Sequence, residues 1–115
     1  MADKIFGIHG EALMLRSRRL ALLASNIANS ATPDYKARDL DFTRAMQDVR
    51  AGRDTASAVQ RNAGYRVPLN PSLDGNTTEL ATEQTLFAEN AVGYATTLSF
   101  LEGRVATLTR ALKGE

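Results

Sequence analysis

The residues able to do chemistry in this chain are few and badly placed for catalysis. His9 is the only histidine and cysteine is absent, so neither a His-pair nor a thiolate metal site can be assembled. A Ser/His/Asp arrangement would have to be built around that one imidazole, and a lone His on a helix is ordinarily a surface or seam residue. Asp39 and Asp41 could be read as paired acids. The same spacing suits the cap of a short helix over 41–49, where a side-chain oxygen accepts from an orphan backbone N–H. Arg16, Arg18 and Arg19 could touch phosphate, but neither interleaved aromatics nor a wider basic surface accompanies them; a solvated or ion-paired helix face is the default. Glycine-rich phosphate loops and a His-Glu-x-x-His zinc helix are missing. The expectation is a non-enzyme with no cofactor, no metal and no small-molecule substrate.

Composition points the same way. A length of 115 residues allows one domain with a modest core. The net charge of +1 and a pI near 8.1 speak against a nucleic-acid partner. Four Phe, three Tyr and no Trp leave few bulky anchors for a self-sufficient globule. The longest apolar run, Leu20 to Ala24, is far short of a membrane span and lies too deep for a secretory leader.

The elements behind these residues are two long helices and an irregular middle. Residues 1–29 put Phe6, Leu13, Leu20 and Ile27 at seven-residue intervals, with Leu23 alongside; this predicts a helix about 40 Å long at about 1.5 Å per residue. His9 and Arg16 interrupt the series. Pro33 ends it by forcing an extended exit. Residues 30–78 hold a turn motif, a short helix at 41–49 with Asp39 or Asp41 as cap, and a flexible linker rich in small and polar residues, partly disordered. Residues 79–113 carry the clearest pattern. Phe87, Ala91, Tyr94, Leu98, Leu101, Val105, Leu108 and Leu112 alternate at four- and three-residue steps, an apolar heptad seam built to meet another helix. Asn76 with Glu79 has capping spacing, and Gly114 is a natural stop. The fold expected is therefore all-α. Its two terminal helices pair as an antiparallel coiled-coil hairpin through Leu13, Leu20, Leu23, Ile27 and the eight residues of the C-terminal seam. That pairing would bring Arg18 and Arg19 near Glu89, and Lys4 near Glu102. Val92 and Phe100 fall off the seam and are expected to contact further subunits.

The densest signal lies at the end of the first helix: Leu23-Ala24-Ser25-Asn26-Ile27-Ala28-Asn29-Ser30-Ala31-Thr32-Pro33-Asp34-Tyr35-Lys36. This run closely resembles the N-terminal hallmark of bacterial flagellar rod and hook proteins. Its continuation, Ala37 to Phe42, resembles the basal-body rod members, and Asp74-Gly75-Asn76-Thr77 and Phe87-x-x-Asn90-x-x-x-Tyr94 extend the likeness over nearly the whole chain. Asp34 stands where relatives often have Gly, so a left-handed turn there would be mildly strained.

The resemblance implies a structural part of the proximal rod, a helical shaft in the cell envelope that transmits torque for motility. Ser25, Asn26, Ile27, Ala28, Asn29, Thr32, Pro33, Asp34, Tyr35 and Lys36 would serve assembly. Partners implied are other rod proteins, the membrane-ring and rod-junction proteins, further copies of itself, and the flagellar type III export apparatus, which needs no cleaved leader. Phe42 and Met46 fit the short Phe-x-x-x-apolar element read at the export gate. The alternatives are another rod subunit of the same family, or a small helical export chaperone or adaptor.

Overall fold

The computed structural model describes residues 2–69 and 72–114, residues 2–5 by backbone alone. Six elements follow in order: α1 (Ala2–Ala28), β1 (Arg38–Leu40), α2 (Phe42–Arg50), α3 (Thr55–Asn62), β2 (Ala63–Tyr65) and α4 (Leu80–Lys113). The particle is a slender body of 64 × 25 × 17 Å, because α4 alone is about 50 Å long at about 1.5 Å per residue.

The two long helices form where the apolar periodicity predicts, with a bend in the first. Gly7 has φ 57 and ψ −144 inside α1, a left-handed excursion that a residue without Cβ tolerates. At the other end, Asn29 donates through its backbone and its side chain to the Ser25 carbonyl, at 3.0 and 2.9 Å, so the last turn closes on itself. Gly114 ends α4 in the left-handed conformation, φ 75, with its N–H directed at the Ala111 and Arg110 carbonyls.

Asn76 does not cap α4 as its spacing suggests. Glu79 holds the cap position without a side-chain bond. The Asn76 side chain, 4% exposed, instead donates to the carbonyls of Asn29, Ser30 and Thr32 at 2.8, 3.1 and 2.7 Å. It seals the end of α1 from the far side of the chain. Asp41, by contrast, caps α2 by accepting from the Arg44 N–H, while Asp39 lies in β1 and serves another purpose.

The middle segment holds more regular structure than the expected linker. Asp54 caps α3 by accepting from the Ser57 N–H at 2.7 Å, and Ala58 is fully buried beneath it. β1 and β2 pair antiparallel, Asp39 opposite Gly64. Strands of three residues are too short to show alternation in a sequence. Their pairing is held by what lies around them: Ala12, Leu15, Leu40, Ala45, Met46, Val49 and Ala58 form one apolar core joining α1 to α2, α3 and β1. On its other side α1 meets α4. Asn26 touches Glu83, Arg16 touches Asn90 and His9 stacks on Phe100, so residue numbers fall along one helix as they rise along the other.

Candidate functional site

Three residues of the Ser25–Lys36 motif, Ser25, Asn26 and Tyr35, meet at a buried polar centre. Asn26 is 0% exposed and uses every hydrogen-bonding position of its amide. Its Nδ2 donates to the Arg38 carbonyl at 2.7 Å and to Glu83 Oε2 at 2.9 Å. Its Oδ1 accepts from the Arg38 N–H at 3.0 Å and from the Tyr35 hydroxyl at 3.2 Å. One side chain therefore joins the end of α1 to the start of β1 and to α4. Ser25 Oγ adds a 2.9 Å contact to the Tyr35 hydroxyl.

Glu83 is equally buried and is met by the Arg66 guanidinium through its other oxygen. Arg66 Nη2 then donates to Asp39 Oδ2 at 2.9 Å. Asp39 is held from the other side by Arg19, whose Nε and Nη2 donate to its two oxygens at 2.8 and 2.9 Å. Burial pushes the Asp39 carboxyl up. The hydrogen bond and charge of Arg19, the Leu40 amide and Arg66 outweigh it and hold the group below the usual carboxylate range. The bond to Asp39 in turn raises Arg19, against the opposing effect of burial, with a more distant contribution from Glu89. Arg19, expected beside Glu89, thus finds its direct partner in Asp39. The Lys4–Glu102 pairing lies outside the described residues. Removing one member of a buried pair costs about 3–5 kcal/mol, so this centre fixes where α1, the hairpin and α4 sit.

Beyond Asn29 the motif makes the turn. Thr32 Oγ1 donates to Asn29 Oδ1 at 3.1 Å, and Pro33 is exposed. Asp34 adopts φ 61, the left-handed conformation anticipated for that position, and its N–H donates to the Asp74 carbonyl at 2.8 Å. Lys36 Nζ reaches the Gly75 carbonyl at 2.6 Å. Ile27 is half-buried, and Ala28 is exposed at the helix end.

The inner face of α4 changes character along its length. Glu83, Asn90 and Thr97, seven residues apart and all polar, are buried together with Leu101. Asn90 Nδ2 donates to the Arg16 carbonyl at 2.8 Å. Phe87, Ala91 and Tyr94 are half-buried. The remaining seam residues are not covered: Leu98, Val105, Leu108 and Leu112 are 37, 42, 43 and 89% exposed. On α1, Leu23 is buried and Leu13, Leu20 and Ile27 are half-buried. Leu13 meets Leu98, Leu101 and Val105 across an apolar groove of about 600 Å³ that Phe6 and Met14 also line. Val92 and Phe100 are 66 and 62% exposed. No apolar pattern could reveal the polar row, because its partners come from distant segments.

Phe42 and Met46 belong to the packed interior. Met46 is in the core and Phe42 rests against it. Among the described residues no group of His, Asp and Glu could hold a metal ion, and no helix is long and apolar enough to cross a membrane.

Comparison with known proteins agrees with this layout. A family model described as "Flagella basal body rod protein" matches residues 6–36, which hold most of α1 and the turn motif. The flagellar basal body rod protein FlgB of Cereibacter sphaeroides (strain ATCC 17029 / ATH 2.4.9) is 47% identical, with 95% of this chain and 94% of the relative covered. The FlgB proteins of Aeromonas hydrophila and Escherichia coli (strain K12) are 42 and 38% identical. They cover 98 and 96% of this chain, and 96 and 94% of their own lengths are matched.

Proposed function

Since the chain belongs to the family of FlgB flagellar basal body rod proteins, we propose that its uncovered apolar stripe is the surface through which it builds the rod. The protein is a structural component of the proximal rod of the flagellum, located in the basal body, and not an enzyme. Membership sets aside the export chaperone.

In the reading offered here the whole chain acts as one domain, and α1 and α4 act as an antiparallel coiled-coil hairpin whose register is set by polar groups. The motif Ser25–Lys36, through Asn26 and the Asn76 seal, holds the end of that hairpin rigid. Leu98, Val105, Leu108, Leu112, Val92 and Phe100 then face sister subunits and other rod proteins. Contacts of this head-to-tail kind that do not close on themselves generate a tube able to carry torque. The observation that supports this most directly is the change along the inner face of α4: Glu83, Asn90, Thr97 and Leu101 are buried, whereas Val105, Leu108 and Leu112, nearly in line with them on the helix, are 42, 43 and 89% exposed. Contiguous uncovered apolar surface of this sort marks an interaction site.

The subunit reaches the periplasmic part of the shaft through the flagellar export apparatus, as an unfolded chain. Phe42 and Met46 are packed in the folded protein, so an export gate would read them before folding. Contacts with the membrane-ring and rod-junction proteins follow from a proximal position.

The test is the double substitution Leu108→Glu and Leu112→Glu. Both sites are exposed, so the purified protein should keep its urea midpoint. Cells carrying it as the sole copy should lack complete rods in isolated basal bodies and should not swim. Normal swimming would remove the assembly role of this stripe.

A further inference from the structure

Arg16 interrupts the apolar series of α1, and among the described residues no carboxylate pairs with it. Its guanidinium lies 4.0 Å from the centroid of the Phe42 ring, within cation–π range. It fills the space left by Gly93, where a Cβ would come within 2.5 Å of Nη1. The side-chain hydrogen bond it makes is long, Nη1 to Asn90 Oδ1 at 3.5 Å. Its Nε is buried with no hydrogen-bond partner. Burial, then the charge of Arg19, draws its pKa below the ordinary guanidinium value, yet a guanidinium stays charged at neutral pH. Arg19, one turn along, differs sharply: it grips Asp39 at two points.

Arg16 faces a cleft of about 350 Å³ between α1, α2 and α4. Arg50, Thr43, Gln47 and Thr97 also line it, and neither Asp nor Glu does. Two guanidiniums and several neutral donors therefore surround an opening without an anion. A planar guanidinium binds carboxylate through two parallel bonds, and a partly desolvated cation gains more from such a partner than an exposed one. At the rim, Phe100 stacks on His9 at 5.5 Å while remaining 62% exposed, so the cleft is continuous with the surface assigned to subunit contacts.

We propose that this cleft is a receptor for an Asp or Glu side chain of an adjoining rod subunit, with Arg16 and Arg50 as its cationic walls. The inference rests on the rod reading above and adds a charged socket to an otherwise apolar interface. It also gives Gly93 a role: the absence of a side chain there lets the guanidinium sit at the mouth of the cleft.

Arg16→Met keeps the apolar stem and removes the charge; Arg16→Lys keeps the charge without the fork. The expected result is that purified Arg16→Met still melts cooperatively within a few degrees of wild type, since inside the subunit it loses only the Phe42 ring contact and one long hydrogen bond and no ion pair. The same variant should abolish swimming and rod completion, and Arg16→Lys should restore part of both. A benzoylphenylalanine placed at Thr43 should cross-link, in isolated basal bodies, to an acidic peptide of a neighbouring subunit. Wild-type swimming by Arg16→Met, a lowered melting temperature that accounts for its defect, or cross-links confined to the subunit's own chain would each overturn the socket. Deletion of the whole chain keeps the two readings apart: swimming cells after deletion refute the rod assignment, whereas non-swimming deletion cells beside swimming Arg16→Met cells refute the socket alone.

Discussion

Replacing Asn26 with alanine tests the polar centre at its most connected point. The substitution leaves the Arg38 N–H and carbonyl without their partners and strips one donor from the buried Glu83. Each buried group left unsatisfied costs about 1–3 kcal/mol. The three are neighbours and do not simply add, so a loss of about 3–5 kcal/mol is expected. A domain of this size has roughly 5–15 kcal/mol in total, and about 1 kcal/mol moves the melting temperature by about 4 °C. Asn26→Ala should therefore melt at least about 12 °C below wild type, or fail to fold cooperatively. Asn29, three residues on in the same motif, is the control. Its side chain bonds at the surface, to the Ser25 carbonyl and the Thr32 hydroxyl, and Asn29→Ala should cost about 1 kcal/mol or less. Urea titrations followed by circular dichroism would give both values. Equal destabilisation by the two substitutions would refute the claim that Asn26 joins the three segments.

Acid should loosen the same centre. The folded Asp39 carboxyl titrates below its ordinary value, so its stabilisation is complete at neutral pH and disappears as the pH drops through and below the usual carboxylate range. The urea midpoint of wild type should fall between pH 6 and about pH 3, and Asp39→Asn should start lower and fall less; an unchanged slope would count against the pairing. Gly93→Ala places a Cβ 2.5 Å from the Arg16 guanidinium, the mobile end of a long side chain, so displacing it offsets the helix gain of Ala and the net change should stay within about 1 kcal/mol of zero. Gly103→Ala meets open space and should stabilise by up to about 1 kcal/mol; thermal melts of the two proteins that move together would contradict this.

Much of the architecture could be read from residue order, and the exceptions share a cause. The long helices, the break at Pro33, the Asp41 cap and the Gly114 stop depend on local rules, and those residues behave accordingly. Asn76 was misread because its three acceptors lie more than forty positions away in the chain. The role of Asp39 depends on Arg19 and Arg66, which no spacing rule connects. The heptad of α4 is real as a pattern, but apolarity alone does not say how much of it α1 covers or which polar residues are buried beside it. Glu83 and Asn90 are buried on that face because Asn26, Arg66 and the Arg16 backbone satisfy them there. The strands and α3 were hidden for a similar reason: Ala58 and the Asp39–Gly64 pairing gain meaning only against the core. The turn motif was the strongest sign of the site, yet its chemistry, one amide joining three segments, emerges only in three dimensions.

The buried polar stretch of α4 and its exposed apolar end mean that shaping the subunit and polymerising it draw on different forces. Salt screens the buried polar bonds that keep a single molecule in form only weakly, while salts that drive greasy surfaces out of water strengthen what joins molecules together. Ionic conditions can thus tune growth of the shaft with little regard to the integrity of its bricks.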